Sequence, residues 1–171
     1  MANPDPTTPL DIRTGLTSAD DTSFPLRWGF IGTGGISSDW AKCLAASCPG
    51  ATLASVAART EATAAAFAEE HGVARSAASY EELVADPEVD IIYIGTITPL
   101  HKAHTMLAIA AGKHVLCEKP LAESAADAEE MYAAADAQGV MLQEGMWTRS
   151  GTAANADTPH AWFAQTRPRG G

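Results

Sequence analysis

From Leu26 onward the apolar positions gather into short runs, separated by glycine, proline and helix-capping residues. Leu26-Arg27-Trp28-Gly29-Phe30-Ile31 is a compact run that ends in Gly32-Thr33-Gly34-Gly35, the pattern of a buried strand entering a glycine turn. Residues 36–47 read as a helix stopped by Cys48-Pro49-Gly50, and 51–57, with Leu53 and Val56, as a second strand. The alanine-rich stretch 60–70 around Phe67 predicts a helix with a glycine stop at His71-Gly72. A short third strand is expected at 73–76. Ser79 and Glu82 form a capping box for a brief helix, 80–85, that Asp86-Pro87 ends. Residues 89–94, β-branched and aromatic, make the strongest strand of the chain. A helix over 99–111, a strand over 114–117, a helix opened by Ser124 and Asp127 and closed at Gln138-Gly139, and a strand over 140–143 complete the series.

Strands and helices alternate throughout, with no internal repeat. That order predicts a Rossmann-type α/β fold, a doubly wound parallel sheet with helices between successive strands. Six strands are enough for its two nucleotide-binding halves. The domain is expected over 27–149. Ahead of it, 1–26 is rich in Pro, Thr, Asp and Ser and reads as a flexible arm that cannot bury enough surface to offset its ordering entropy. After Arg149 the residues 150–171 show neither period and read as an irregular tail. Its Arg, Pro, Gly and Ala content is that of an out-of-frame read of a GC-rich gene, so a truncated product is one expectation.

Composition narrows the function. A chain of 171 residues, 46% hydrophobic, can enclose one core. Its net charge of −10 and pI near 4.8 repel nucleic-acid phosphates, so no nucleic-acid partner is expected. Cys43, Cys48 and Cys117 fit neither a disulfide framework nor a zinc pattern, and read as small buried thiols in a reducing compartment. No run reaches the ~18 apolar residues of a membrane span. The opening MANPDPTTPLDIRTGL lacks the basic and apolar regions of a secretory signal. A cytoplasmic protein with no membrane partner is therefore expected.

The candidate chemistry begins at Gly32-Thr33-Gly34-Gly35-Ile36-Ser37, a G-x-G-x-x-S form of the dinucleotide fingerprint. Its first glycine permits the tight turn, its second admits the pyrophosphate, and a small third residue packs helix on sheet. The helix N-terminus then offers unpaired N–H groups and a positive dipole end. NAD binders place an acid after the second strand to hold the ribose hydroxyls. Here Ala57-Ala58-Arg59-Thr60 puts an arginine there, suited to a bidentate contact with a 2′-phosphate. The cofactor favoured is NADP, with NAD as the weaker alternative. A second candidate is Glu118-Lys119-Pro120, at the carboxyl end of a strand, where ligands of open sheets sit. Lys119 there suits a developing alkoxide and Glu118 suits orienting it; a plain surface ion pair accounts for the same residues. His101 and His104 share a helix face with no third ligand, so no metal site is expected. A Tyr-x-x-x-Lys pair is absent after Tyr80, Tyr93 and Tyr132, and methyltransferases of similar glycine pattern favour an acid where Arg59 stands.

The run of GxGxxS, Ala57-Ala58-Arg59, Thr96-x-x-Pro99-x-His101, AGKHVLCEKP (111–120) and the closing Glu144-Gly145-Met146-Trp147-Thr148-Arg149 resembles the Gfo/Idh/MocA oxidoreductases. The likeness is strongest to the branch holding the dimeric dihydrodiol dehydrogenases and NADP-dependent D-xylose dehydrogenases, and covers nearly all of 27–149. It implies a nicotinamide cofactor seated on Gly32, Thr33, Gly34, Gly35 and Ile36, with Arg59 at the 2′-phosphate. It implies further contacts from Thr96, His101 and Glu118, from Trp147 and Arg149, and a catalytic Lys119. Where many members read Thr-Pro-Asn-x-x-His, this chain has Ile97 and Thr98.

Family members continue into a second domain that shapes the sugar or diol pocket, supplies a His or Tyr acid/base and commonly the dimer surface. Residues 150–171 resemble none of it. Two readings follow. One is an oxidoreductase of the CH–OH group of a sugar or diol, a possible homo-oligomer by its family, with little activity expected of this chain alone. The other is a non-catalytic nucleotide-binding module.

Overall fold

A computed structural model describes residues 26–48 and 50–146. The six strands and five helices expected over this stretch alternate as anticipated, with a 3-10 turn added ahead of the fourth helix. They are β1 (Leu26–Ile31), α1 (Gly35–Ser47), β2 (Ala51–Ala57), α2 (Glu61–His71), β3 (Arg75–Ser76), α3 (Tyr80–Ala85) and β4 (Ile91–Ile94). A 3-10 turn (Thr98–Leu100), α4 (His101–Ala110), β5 (His114–Glu118), α5 (Ala125–Gln138) and β6 (Leu142–Gly145) follow. The strands form one six-stranded sheet in the order β3-β2-β1-β4-β5-β6, and all pairings are parallel. The chain winds outward from β1 to β3, returns to set β4 on the other side of β1, and winds outward again to β6. The strand order therefore reverses between β1 and β4. Ligands of such sheets bind at that reversal, beyond the carboxyl ends of the strands.

Alternation of side chains along the strands divides the core in two. Trp28, Phe30, Val56, Tyr93 and Leu116 face α1 and α2, where Leu44 and Phe67 meet them. Ile31, Ile92, Ile94, Val115 and Cys117 face the opposite layer, with Leu83 of α3, Ile109 of α4 and Met131 of α5. Runs such as 91–94 are apolar on both faces because both faces are covered.

The boundaries that shift have local causes. β4 begins at Ile91 rather than at 89, because the Asp90 side chain is drawn to Arg27, whose main-chain N–H and Nε both donate to Oδ2 at 2.9 Å. β6 begins at Leu142 rather than 140, since Val140 N–H still bonds Ala135 O of the preceding helix at 3.0 Å. Thr60 stays outside α2 as its cap, accepting from Thr63 N–H at 3.2 Å. Both capping boxes form in altered ways. Ser79 Oγ accepts Glu82 N–H at 3.1 Å, but Glu82 reaches Ala78 N–H, one residue ahead of the cap. Ser124 Oγ accepts Asp127 N–H at 3.1 Å, while its hydroxyl lies 2.6 Å from the Asp127 carboxylate. The expected arm and tail lie outside the described residues, except that Leu26 already belongs to β1.

Candidate cofactor-binding site

Parallel pairing brings the carboxyl ends of all strands to one edge, and the candidate residues follow them in spatial order. Arg59 follows β2, the glycine turn follows β1, Thr96 follows β4 and Lys119 follows β5. At the turn, Gly32 has φ +99°, a region that side chains avoid, and a Cβ there would lie 3.0 Å from Thr96 Cγ2. Ser37 is fully buried, and a Cβ on Gly95 would come within 2.2 Å of its Oγ. Helix α1 thus meets the end of β4 through a serine–glycine contact, as the small third position of the fingerprint requires.

Gly34 and Gly35 are different. Gly34 caps α1 at φ −75°, and a Cβ on it would meet nothing nearer than Gly95 O at 3.9 Å. A Cβ on Gly35 would have no neighbour within 4 Å. The protein's own packing asks for glycine at neither position. Helix α1 has no side-chain cap and no acid in its first turn, and Ser37 Oγ has no hydrogen-bond partner. Open backbone, free helical N–H groups and an orphaned hydroxyl together fit an approaching anion, the pyrophosphate of a dinucleotide.

Arg59 is exposed and has no ion-pair partner among the described residues. Its charge reaches the half-buried Tyr80, whose phenol is pushed up by burial and drawn back by the arginine. Tyr80 tilts against His104 with ring centres 4.6 Å apart, and His104 Nδ1 lies 3.2 Å from Thr96 Oγ1. Burial, then His101, lowers the affinity of His104 for a proton. Tyr80, His104 and Thr96 therefore form a row of touching side chains. The sequence marks Tyr80 as the opening residue of the brief helix; its contact with His104 is set by tertiary packing.

His101, expected among the cofactor contacts, is buried, with a carbonyl oxygen near each ring nitrogen. Nδ1 lies 2.8 Å from Pro120 O and Nε2 3.0 Å from Thr96 O. These contacts place His101 between the turns that follow β4 and β5. Glu118 is buried beneath the sheet's carboxyl edge. It forms no ion pair with the Lys119 ammonium; Oε1 accepts from Tyr93 Oη at 2.8 Å and Oε2 from the Lys119 main-chain N–H at 3.2 Å. The Lys119 side chain is exposed at the edge, without a hydrogen bond to any described residue. Trp147 and Arg149 lie outside the described residues.

Of the cysteines only Cys117 is buried, its thiol pushed up to about 12 by that burial; Cys48 is half-buried and Cys43 exposed. The expectation of three buried thiols holds for one, since Cys43 falls on the outer face of α1. Among the described residues no group of His, Cys, Asp and Glu is arranged to hold a metal, and no helix is long and apolar enough to cross a membrane.

A parallel 3-2-1-4-5-6 sheet with a glycine turn and an open helix N-terminus at its reversal defines an NAD(P)-binding Rossmann domain. Residues 26–146 match the oxidoreductase family with an NAD-binding Rossmann fold, and the chain belongs to this Gfo/Idh/MocA family. It is 46% identical over 126 residues to human trans-1,2-dihydrobenzene-1,2-diol dehydrogenase, covering 72% of this chain and 37% of that one. It is 46% identical over 116 residues to 1,5-anhydro-D-fructose reductase of Ensifer adhaerens, covering 68% and 34%. A 3-ketoreductase from Actinomadura kijaniata, solved with NADP, superposes with a TM-score of 0.72 at 30% identity, over 77% of this chain and 42% of that one. The chain thus spans about a third of the length of these curated relatives.

Proposed function

We propose that this chain is the NADP(H)-binding domain of an oxidoreductase acting on the CH–OH group of a sugar or diol. The observation that carries the cofactor choice is Arg59, an unpaired cation at the end of β2 where NAD binders place an acid. Its guanidinium suits paired N–H donation to a 2′-phosphate. Gly34, Gly35 and the N–H groups opening α1 would receive the pyrophosphate, and Thr33, Ile36 and Thr96 border that path. Bound there, a nicotinamide supplies the carbon that gives or takes a hydride. Lys119 is assigned the catalytic role: its ammonium would stabilise charge developing on the substrate oxygen and hold or release a proton there. The substrate class rests on the names of relatives, a dihydrodiol dehydrogenase and an anhydrofructose reductase.

Lys119 has no second proton-transfer group hydrogen-bonded to it among the described residues, so this chain alone is proposed to bind cofactor and turn over poorly. The same reading puts it in the cytoplasm, where three free thiols are at ease, and in a homo-oligomer. Fluorescence titration with NADPH and NADH tests the cofactor assignment. NADPH should bind at least about tenfold tighter, the loss expected for one charge-assisted contact. Equal affinities would refute it.

A further inference from the structure

Tyr93 and Glu118 are 1% and 6% exposed, yet they lie just beneath the carboxyl edge. Tyr93 pairs in register with Leu116, and Glu118 follows two residues later, so both side chains occupy the sheet face that α1 covers. Each carboxylate oxygen of Glu118 is committed. One accepts the Tyr93 hydroxyl at 2.8 Å, the other the main-chain N–H of Lys119 at 3.2 Å. The tyrosine is itself gripped from the phosphate side. Its ring stacks on Trp40 of α1 with centres 5.6 Å apart and planes 14° from parallel, and tilts against Phe30 at 5.9 Å. At its edge Gly95 leaves it space, since a Cβ there would lie 2.9 Å from Tyr93 Cε1. Burial and then the adjacent carboxylate push the Tyr93 phenol far up, so it stays a donor at any working pH.

A carboxylate is a costly filler of core space, and an apolar pair would pack this layer at less cost. Its retention asks for a task. We infer that Tyr93 is a positioning residue: acting through Glu118, it holds the main chain of Lys119 and ties that lysine to helix α1, whose N-terminus faces the phosphate path. The functional meaning rests on the cofactor reading above, while the link itself belongs to the protein without ligand.

The test measures backbone amide exchange of Lys119 in the full chain by NMR, for the wild type, Tyr93→Phe, Glu118→Gln and the double variant. Tyr93→Phe keeps the ring stack and removes only the hydroxyl. Lys119 exchange should quicken by about tenfold or more, the scale of one lost charge-assisted hydrogen bond, while Leu116 and Ile94 stay protected. In the Glu118→Gln background, adding Tyr93→Phe should change nothing further. With NADPH bound, Tyr93→Phe should alter nicotinamide fluorescence in the same direction as Lys119→Ala, with affinity close to wild type because the phosphate contacts are intact. Unchanged exchange at Lys119, or an equal rise across the whole sheet, would overturn the inference. If Tyr93→Phe does not fold, Glu118→Gln must raise Lys119 exchange by itself, and its failure to do so is equally fatal. A wild type that binds no NADPH would refute the cofactor assignment instead, and the exchange rates would still decide the link.

Discussion

Arg59→Ala would separate the proposed recognition of a 2′-phosphate from everything else the domain does. The arginine is exposed and has no carboxylate partner among the described residues, so its removal strands no buried charge. It also stands directly before the Thr60 cap of α2, where a cation opposes the helix dipole, so stability should hold or rise slightly. On the proposed role, what would be lost is one charge-assisted, paired contact to a phosphate, worth about 1.5–3 kcal/mol, or roughly ten- to hundredfold in affinity. Solvent screening at an exposed site favours the lower half of that range. NAD lacks the 2′-phosphate and loses only whatever packing the guanidinium gives adenine. Calorimetric titration of wild type and variant with NADP and NAD reads both numbers directly. Raising salt should weaken NADP binding to the wild type more than to the variant. Equal losses for the two cofactors would refute the role assigned to Arg59.

Three further outcomes follow from the geometry. Gly95→Ala should destabilise the domain by at least about 1–3 kcal/mol through overpacking, because the new Cβ falls 2.2 Å from Ser37 Oγ; adding Ser37→Ala should recover part of the loss in thermal melts. Asp90 titrates below its ordinary value, since hydrogen bonds from Arg27 outweigh the upward push of burial. With its folded pKa depressed, its contribution is present above the unfolded value and is lost as pH falls through the folded one. Asp90→Asn should therefore cost about 1–2 kcal/mol near neutrality, discounted because Arg27 is 34% exposed, and the gap to wild type should close on acidification. Equal gaps at neutral and acid pH in urea melts would contradict this. The purified 171-residue chain should show little or no NADP reduction with D-xylose or a trans-dihydrodiol; turnover that vanishes in Lys119→Ala would prove this expectation wrong.

What the sequence made legible is whatever depends on local pattern. The strand 26–31 running into Gly32 and the glycine stop at Gly72 are encoded within a few residues, as is the cap at Ser124. All three are recovered in the fold. The order of Arg59, the glycine turn, Thr96 and Lys119 along one edge follows from parallel alternation, which the pattern also carries. Side-chain direction does not. Glu118 beside Lys119 looks like an ion pair in one dimension, but strand alternation turns its carboxylate into the core toward Tyr93, 25 positions away. Nor does the spacing of His101 show that it lies between carbonyls of two separate turns. Such partners are set by tertiary packing, and no spacing rule names them.

The central claim, that the turn after β1 seats a dinucleotide, is tested most directly by calorimetric titration of Gly34→Val with NADPH. In the protein alone the new Cβ meets only Gly95 O, at 3.9 Å, and the backbone there is extended. The variant should therefore fold and melt close to the wild type. Its side chain would nonetheless stand where the pyrophosphate must approach the N–H groups of α1. Loss of measurable NADPH binding with a near wild-type melting temperature is the predicted result. Undiminished affinity in a folded Gly34→Val protein would mean that the glycine turn serves the fold alone.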